Sequence, residues 1–381
     1  MELAETKPKK SNKPKDTPFH QQRLKSWRPI LTARNAFPIF LTIGLLSIPV
    51  GIVLLASSNS VLEVVVEYTH CEDTVRHTRC SELVRLPDFY RTYNICSCKV
   101  EFELKEEFKG QVYFYYGLSN FFQNHRRYVI SKDDYQLHGS VETPKPSCEP
   151  YRFDPNGKVY APCGAIAMSL FNDSFTLKYL GKSSEPLAKP LQVPMTNKGI
   201  AWRTDVEEKF GKPPADSWAN TVKPVSWKKS ALERSSGAYS EDEELLVWMR
   251  VSALPTFRKL HRLVTHVGAF SNGLPAGIYS VDIEYYHLIL KMYFLYLRFA
   301  NLPNKKFHSS SYYSPDLILL VFIVHSAYPV TQFGGTKRII LSTMSWLGGR
   351  NPTLGISYIV VGSVGLILGL IFFILHFHTM K

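Results

Sequence analysis

The stretch AFPIFLTIGLLSIPVGIVLLASS, residues 36–58, decides the architecture. Residues 35–62 contain no Asp, Glu, Lys or Arg, and an uncharged apolar run beyond about 18 residues reads as a transmembrane helix. At ~1.5 Å per residue, Ala36 to Ser58 covers ~35 Å, enough for a ~30 Å hydrocarbon core with some tilt. Pro38 and Pro49 bend such a helix without excluding it. The run is too long for a cleaved signal peptide, and a charged tail precedes it. A second uncharged run, TLGISYIVVGSVGLILGLIFFILHF, occupies residues 353–377. Gly355, Gly362, Gly365 and Gly369 punctuate it, and small residues let another helix approach closely. With 45% apolar and 20% charged residues over 381 positions, the chain is neither disordered nor a fibre. The two runs argue against a purely soluble enzyme.

Outward from the spans, charge sets the expected orientation. Residues 1–34 hold nine basic and three acidic residues, +6 of a formal net charge of +13. A basic tail can bind nucleic acid, but this one abuts a membrane span, and the positive-inside rule accounts for it; no nucleic-acid partner is expected. The expected organisation is a cytosolic basic tail (1–35), a first span (36–58), a lumenal or extracellular ectodomain (59–351), a second span (352–377) and a cytosolic end (378–381). All six cysteines, Cys71, Cys80, Cys96, Cys98, Cys148 and Cys163, fall in the expected ectodomain, where an even count reads as disulfides. The N-glycosylation sequon Asn172-Asp173-Ser174 also lies there; Asn351-Pro352-Thr353 is excluded by its proline. No Cys-x-x-Cys pair argues for zinc.

The expected ectodomain reads as mostly antiparallel β, sandwich-like, with a few helices. Val100 to Leu104 and Tyr279 to Tyr285 alternate apolar and polar residues, the period of a half-buried strand. Gln111 to Tyr116 is an aromatic-rich strand ending at Gly117. Leu254, Phe257, Leu260 and Leu263-Val264 share a helical stripe, so a helix is expected there. Cys96 and Cys98, two apart on a strand, point to one face and each should reach back to Cys71 or Cys80. A nested set, Cys71–Cys98 and Cys80–Cys96, suits a hairpin-like return and leaves Cys148 for Cys163; the pairing of the first four stays open.

Motifs that carry chemistry are missing. There is no His-Glu-x-x-His, Gly-x-Ser-x-Gly, Walker or Gly-x-Gly-x-x-Gly segment. The acidic run Glu241-Asp242-Glu243-Glu244 lacks the ligand spacing of a calcium loop and is expected to be a solvated face. The spans hold no acid or base, so they carry no charge-dependent ion path. A protein that acts by binding, with no catalytic residues, metal or cofactor, is the expected class; a subunit of a two-span channel is the alternative.

Longer strings then become recognisable. Thr17-Pro18-Phe19-His20-Gln21-Gln22-Arg23-Leu24 and Trp27-Arg28-Pro29-Ile30-Leu31-Thr32-Ala33 precede the first span. Tyr115-Tyr116-Gly117-Leu118-Ser119-Asn120-Phe121, Gln123-Asn124-His125-Arg126-Arg127-Tyr128, Cys148-Glu149-Pro150-Tyr151-Arg152, Ala161-Pro162-Cys163-Gly164 and Lys198-Gly199-Ile200-Ala201-Trp202 follow. Then come Val247-Trp248-Met249-Arg250, Ala253 to Leu260, and Ile340-Leu341-Ser342-Thr343 with Trp346-Leu347-Gly348-Gly349. In this order they resemble the Cdc-fifty family, the accessory (beta) subunits of type-IV P-type ATPases, the phospholipid flippases.

The resemblance implies an antiparallel β-sandwich ectodomain on two spans and a heterodimer with a type-IV P-type ATPase among membrane lipids. It also implies chaperone-like support of the ATPase's exit from the endoplasmic reticulum and of aminophospholipid flipping. As an integral, multi-pass glycoprotein the chain would occupy the endoplasmic reticulum, Golgi or secretory vesicles and plasma membrane, glycosylated at Asn172. Partner contacts are expected at Phe19, Arg23, Leu24, Trp27 and Arg28 in the tail, and at Asn120, His125, Arg126 and Arg127 in the ectodomain. The family has Cys-x-x-Cys before its Cys-x-Cys, whereas Cys71 and Cys80 stand nine apart. An insert at about 286–327 interrupts an alternating run and is expected to be a dispensable excursion.

Overall fold

A computed structural model describes residues 12–26, 32–83, 95–141, 143–286 and 334–379. The expected insert at 286–327 lies, beyond Tyr286, outside the described residues. The chain divides into two compact units. One combines residues 1–56 with 351–381, and the other is the central domain, 57–350.

The first unit is a pair of helices, Ala33–Asn59 and Thr353–Thr379, each long and apolar enough to cross a membrane. They pack antiparallel: Phe37 meets Phe373 and Phe40 meets Phe372, with ring centroids 5.5 and 5.6 Å apart. At the other end Gly51 faces Gly355, where a Cβ on either glycine would come within about 3 Å of the other's carbonyl oxygen. Backbones this close need residues without side chains, the rule for helix pairs in lipid, where dispersion and close approach replace the hydrophobic effect.

The central domain is built on two antiparallel sheets. Among the described residues its strands are β1 (Glu63–Glu67), β2 (Ile95–Leu104), β3 (Phe108–Lys109), β4 (Tyr113–Leu118), β5 (Val159–Tyr160), β6 (Ser174–Lys182), β7 (Glu185–Gln192), β8 (Met195–Thr196), β9 (Thr221–Val222), β10 (Phe257–Val264), β11 (Gly273–Leu274), β12 (Gly277–Tyr286) and β13 (Lys337–Ser342). One sheet runs β1-β13-β4-β10-β8 and the other β2-β12-β6-β7. Period-two burial makes the sandwich. Tyr279, Val281, Ile283 and Tyr285 of β12 turn inward against Phe114 of β4 and Ile339 and Leu341 of β13. The edge strand β7 is exposed along its whole length and carries Pro186, Lys189 and Pro190, residues that discourage pairing with another chain's edge. A second core, rich in short helices, gathers Phe121, Trp227, Tyr239 and Trp248; a third surrounds Cys148 and Cys163.

The helix expected over Leu254 to Val264 is instead strand β10. Its buried positions include Lys259 and His261, so the inward face of the strand is partly polar and the period-two signal is hidden. The apolar residues that suggested a helical stripe are only partly inward, and a register shift between Leu260 and Arg262 breaks the alternation further. The strand expected to end at Gly117 continues to Leu118.

The two sheets are joined by a buried ion pair. Lys337, first residue of β13, places Nζ 2.8 Å from Oδ2 of Asp173, which precedes β6; the two side chains are 3% and 1% exposed. The Tyr68 hydroxyl, just after β1, donates to the same oxygen at 2.9 Å. The ammonium also sits 3.7 Å from the centroid of the Tyr285 ring on β12. Burial, the largest influence, opposes the charged amine, but Asp173 and Tyr285 together outweigh it and the Lys337 pKa is raised, so the ammonium stays charged through the neutral range.

Removing one member of such a pair strands a buried charge, at a cost of about 3–5 kcal/mol, whereas replacing both by apolar groups can be nearly neutral. Lys337→Met is therefore expected to destabilise the domain by that amount. Lys337→Met with Asp173→Leu should be the more stable of the two, as read from denaturant midpoints of the purified chain.

Candidate partner-binding surfaces

The loop after β4 is fixed from beneath. Phe121 is buried and packs edge-on against Trp248 and Phe257, with centroids 5.7 and 6.0 Å away. Its N–H donates to Pro255 O at 2.9 Å. Gln123, wholly buried, accepts from Ser252 N at 2.9 Å, and Asn124 Nδ2 donates to Ala253 O at 2.9 Å. Phe122, Asn124, His125, Arg126, Arg127 and Leu254 are exposed on these two tied segments. Asn120 is half-buried, in the left-handed backbone region at φ 58°. The structure thus brings Asn120, His125, Arg126 and Arg127 into one loop. It adds Phe122, which sequence reasoning passed over because an exposed apolar residue has no sequence signature, and Leu254, which that reasoning set on the apolar stripe of a helix and which is exposed. Aromatic and Arg side chains on a pre-ordered scaffold are the composition that protein interfaces favour.

The platform under this loop depends on Lys259. Its Nζ donates to Val247 O at 2.9 Å, to Trp248 O at 3.1 Å and to Arg250 O. These carbonyls close the helix Glu243–Met249, and the last turn of any helix leaves carbonyls without intrahelical partners. A cation there also meets the negative end of the helix dipole. Burial pushes the Lys259 pKa down to about 7, while the three carbonyls favour its ammonium form.

The acidic run is not a solvated face. Asp242 caps this helix, accepting from Leu245 N at 3.2 Å, and Arg234 Nε donates to it at 2.5 Å. Glu243 accepts from the N–H groups of Gly199, Ile200 and Ala201 at 3.0, 2.7 and 2.9 Å, which accounts for the Lys198 to Trp202 string. Glu244 pairs with Arg262 and Arg234 at 2.6 and 3.3 Å. Three of the four consecutive carboxylates, those of Asp242, Glu243 and Glu244, are consumed as internal ties, while Glu241 is exposed, a use that residue order alone does not reveal.

Beside them lies a cavity of about 120 Å³ whose lining includes Asn172, Ser226, Lys228, Glu244 and His261. Burial pushes the His261 pKa down to about 3, so its imidazole is neutral at ordinary pH. Among the described residues Ser226 Oγ and His261 Nδ1 both lack a hydrogen-bond partner, so they do not form a nucleophile–base pair with each other. Asn172 is half-buried, its amide donating to Ser226 O at 3.4 Å. Cys71 is bonded to Cys98, Cys80 to Cys96 and Cys148 to Cys163, with Cα separations of 5.9, 5.7 and 5.7 Å. The densest cluster of metal-type ligands among the described residues is these same cysteines with Asp73, and bonded sulfurs are not thiolate ligands.

In the N-terminal segment the described residues form a turn over Thr17 to Gln22, closed by Gln21 N to Thr17 O at 2.9 Å and Arg23 N to Pro18 O at 2.7 Å. Phe19 is 73% and Leu24 64% exposed. Arg23 pairs with Asp16. Trp27 and Arg28 lie outside the described residues.

Comparison with known proteins identifies the class. The model of the LEM3 (ligand-effect modulator 3) family / CDC50 family matches residues 54–293 and 312–381. Cell cycle control protein 50A of Mus musculus is 39% identical over 379 residues, covering 96% of this chain and 90% of its own length. Cell cycle control protein 50B of Homo sapiens is 37% identical, with 96% and 94% covered. Putative ALA-interacting subunit 2 of Arabidopsis thaliana is 31% identical, with 94% and 86% covered. The chain belongs to the CDC50 family.

Lys259→Met keeps the stem's bulk and removes the donor. Leaving buried carbonyls unsatisfied costs about 1–3 kcal/mol each, so a loss of more than ~2 kcal/mol is expected in a thermal or denaturant melt, with Lys259→Arg retaining part of it.

Proposed function

We propose that the chain is a non-catalytic accessory subunit of a type-IV P-type ATPase, required for that ATPase to leave the endoplasmic reticulum and supporting its flipping of aminophospholipids. The observation that carries the proposal is family membership along nearly the whole chain, in which one relative bears the name of an interacting subunit. The pre-ordered loop bearing Phe122, Arg126 and Arg127 supports it as a docking surface for the ATPase. The exposed Phe19 and Leu24, with Arg23, Trp27 and Arg28, form the second contact, on the cytosolic side. In this reading residues 1–35 are cytosolic and 59–351 lumenal, in line with the positive-inside rule. Asn172 carries an N-linked glycan. The complex travels from the endoplasmic reticulum through Golgi and secretory vesicles to the plasma membrane.

Co-expression with candidate type-IV ATPases, affinity capture of this chain and mass spectrometry of what is retained test the proposal. One ATPase is expected to co-purify. Phe122→Ala combined with Arg126→Ala and Arg127→Ala should reduce its recovery roughly 10-fold or more, as loss of interface anchors does, with the melting midpoint unchanged. Phe19→Ala with Trp27→Ala, charges kept, should also lower recovery. Absence of any type-IV ATPase from the captured material would overturn the proposal.

A further inference from the structure

A rigid hairpin with an apolar tip follows β13. Ser345 N donates to Gly348 O and Gly348 N to Ser345 O, both at 2.9 Å. Ser345 Oγ donates to Gly348 O at 3.1 Å and accepts from Leu347 N at 3.3 Å, while Gly348 takes φ 105°. The hairpin is rooted in the sheet: Thr343 N donates to Leu62 O at 3.0 Å, and Leu62 N donates to Thr343 Oγ1 at 3.0 Å. The two tip residues of so tight a turn are ordinarily Gly, Asn, Asp or another small polar type. Here they are Trp346, 75% exposed, and Leu347, with Met344 exposed behind them. Residues 342–349 carry no charge, and Arg350 follows.

We propose that Trp346 and Leu347 are seated in the headgroup–acyl boundary of the bilayer that the two helices cross. Leu347 stands six positions before Thr353, where the second membrane helix begins, and Leu62, which holds the root, is three residues past Asn59, the last residue of the first. A six-residue tether reaches at most ~20 Å when fully extended, so the tip stays in the neighbourhood of the interface whatever the path of the chain. Trp is enriched at that depth because its ring is apolar and its N–H is polar. Arg350, exposed beside the hairpin, has the charge to meet lipid phosphates. In water the same tip would expose three large apolar side chains on a backbone too well bonded to fold them away. A lipid occupant accounts both for the apolar tip and for the turn that keeps it extended.

The full-length chain is reconstituted in phosphatidylcholine nanodiscs with and without lipids brominated high on the acyl chain. The fluorescence of Trp346→Phe is subtracted from that of the unaltered chain to isolate Trp346. Its emission is expected to be shifted to the blue of water-exposed tryptophan and quenched by roughly half or more in brominated discs. Water-like emission that bromine leaves unquenched would overturn the proposal, and that is also the outcome if the tip instead awaits a protein partner. The result does not depend on whether an ATPase binds the chain.

Discussion

The central domain is held in register by one buried charge contact. Lys337 and Asp173 approach to 2.8 Å between two sheets that otherwise meet through aromatic and aliphatic side chains. Apolar packing is tolerant of small slides, because any hydrophobic pair of suitable volume is nearly equivalent. An ammonium, a carboxylate and a phenol that must meet at one oxygen are not. Tyr68, Asp173, Lys337 and Tyr285 come from four different chain segments, so meeting that requirement fixes β1, β6, β12 and β13 together. The Cys71–Cys98 and Cys80–Cys96 bonds tie the segment after β1 to β2, next to the same contact, since Cys96 stands opposite Tyr285 in the β2–β12 register.

What the sequence revealed depends on how each element is buried. The two spans were plain because lipid demands an uninterrupted apolar run and tolerates no charge. Strands β2 and β12 were legible because one face meets the core and the other meets water, which writes alternation into Val100 to Leu104 and Tyr279 to Tyr285. Strand β10 was misread because its inward side chains include Lys259 and His261, each accommodated by the fold: one by the carbonyls of a helix end, the other by a cage of Phe114, Tyr116, Phe171 and Phe175 rings. The acidic run was misread for the same reason. The partners of Asp242, Glu243 and Glu244 are Arg234, Arg262 and the backbone at Gly199 to Ala201, and those meetings exist only in the fold. In the loop after β4, Arg126 and Arg127 were visible as a motif, whereas the exposure of Phe122 and of Leu254 became visible only in the fold.

Several charged groups of the interior, among them Lys259, Lys337, Asp173 and Asp242, are spent on ties between segments, and the buried imidazole of His261 is kept neutral. The ordered surfaces that remain are an Arg- and Phe-bearing loop on the central domain, an exposed Phe and Leu on the N-terminal turn, and a Trp-tipped hairpin beside the second membrane helix in sequence. Each presents large side chains at low cost in ordering, because the backbone beneath is already hydrogen-bonded.

The most direct test of the accessory role is uptake of a fluorescent aminophospholipid into cells that lack their own CDC50-family proteins and express a type-IV P-type ATPase with or without this chain. Uptake, and surface delivery of the ATPase, should appear only when both are present and should vanish when the ATPase's phosphorylated aspartate is removed. Equal uptake without this chain, or uptake driven by this chain alone, would contradict the role.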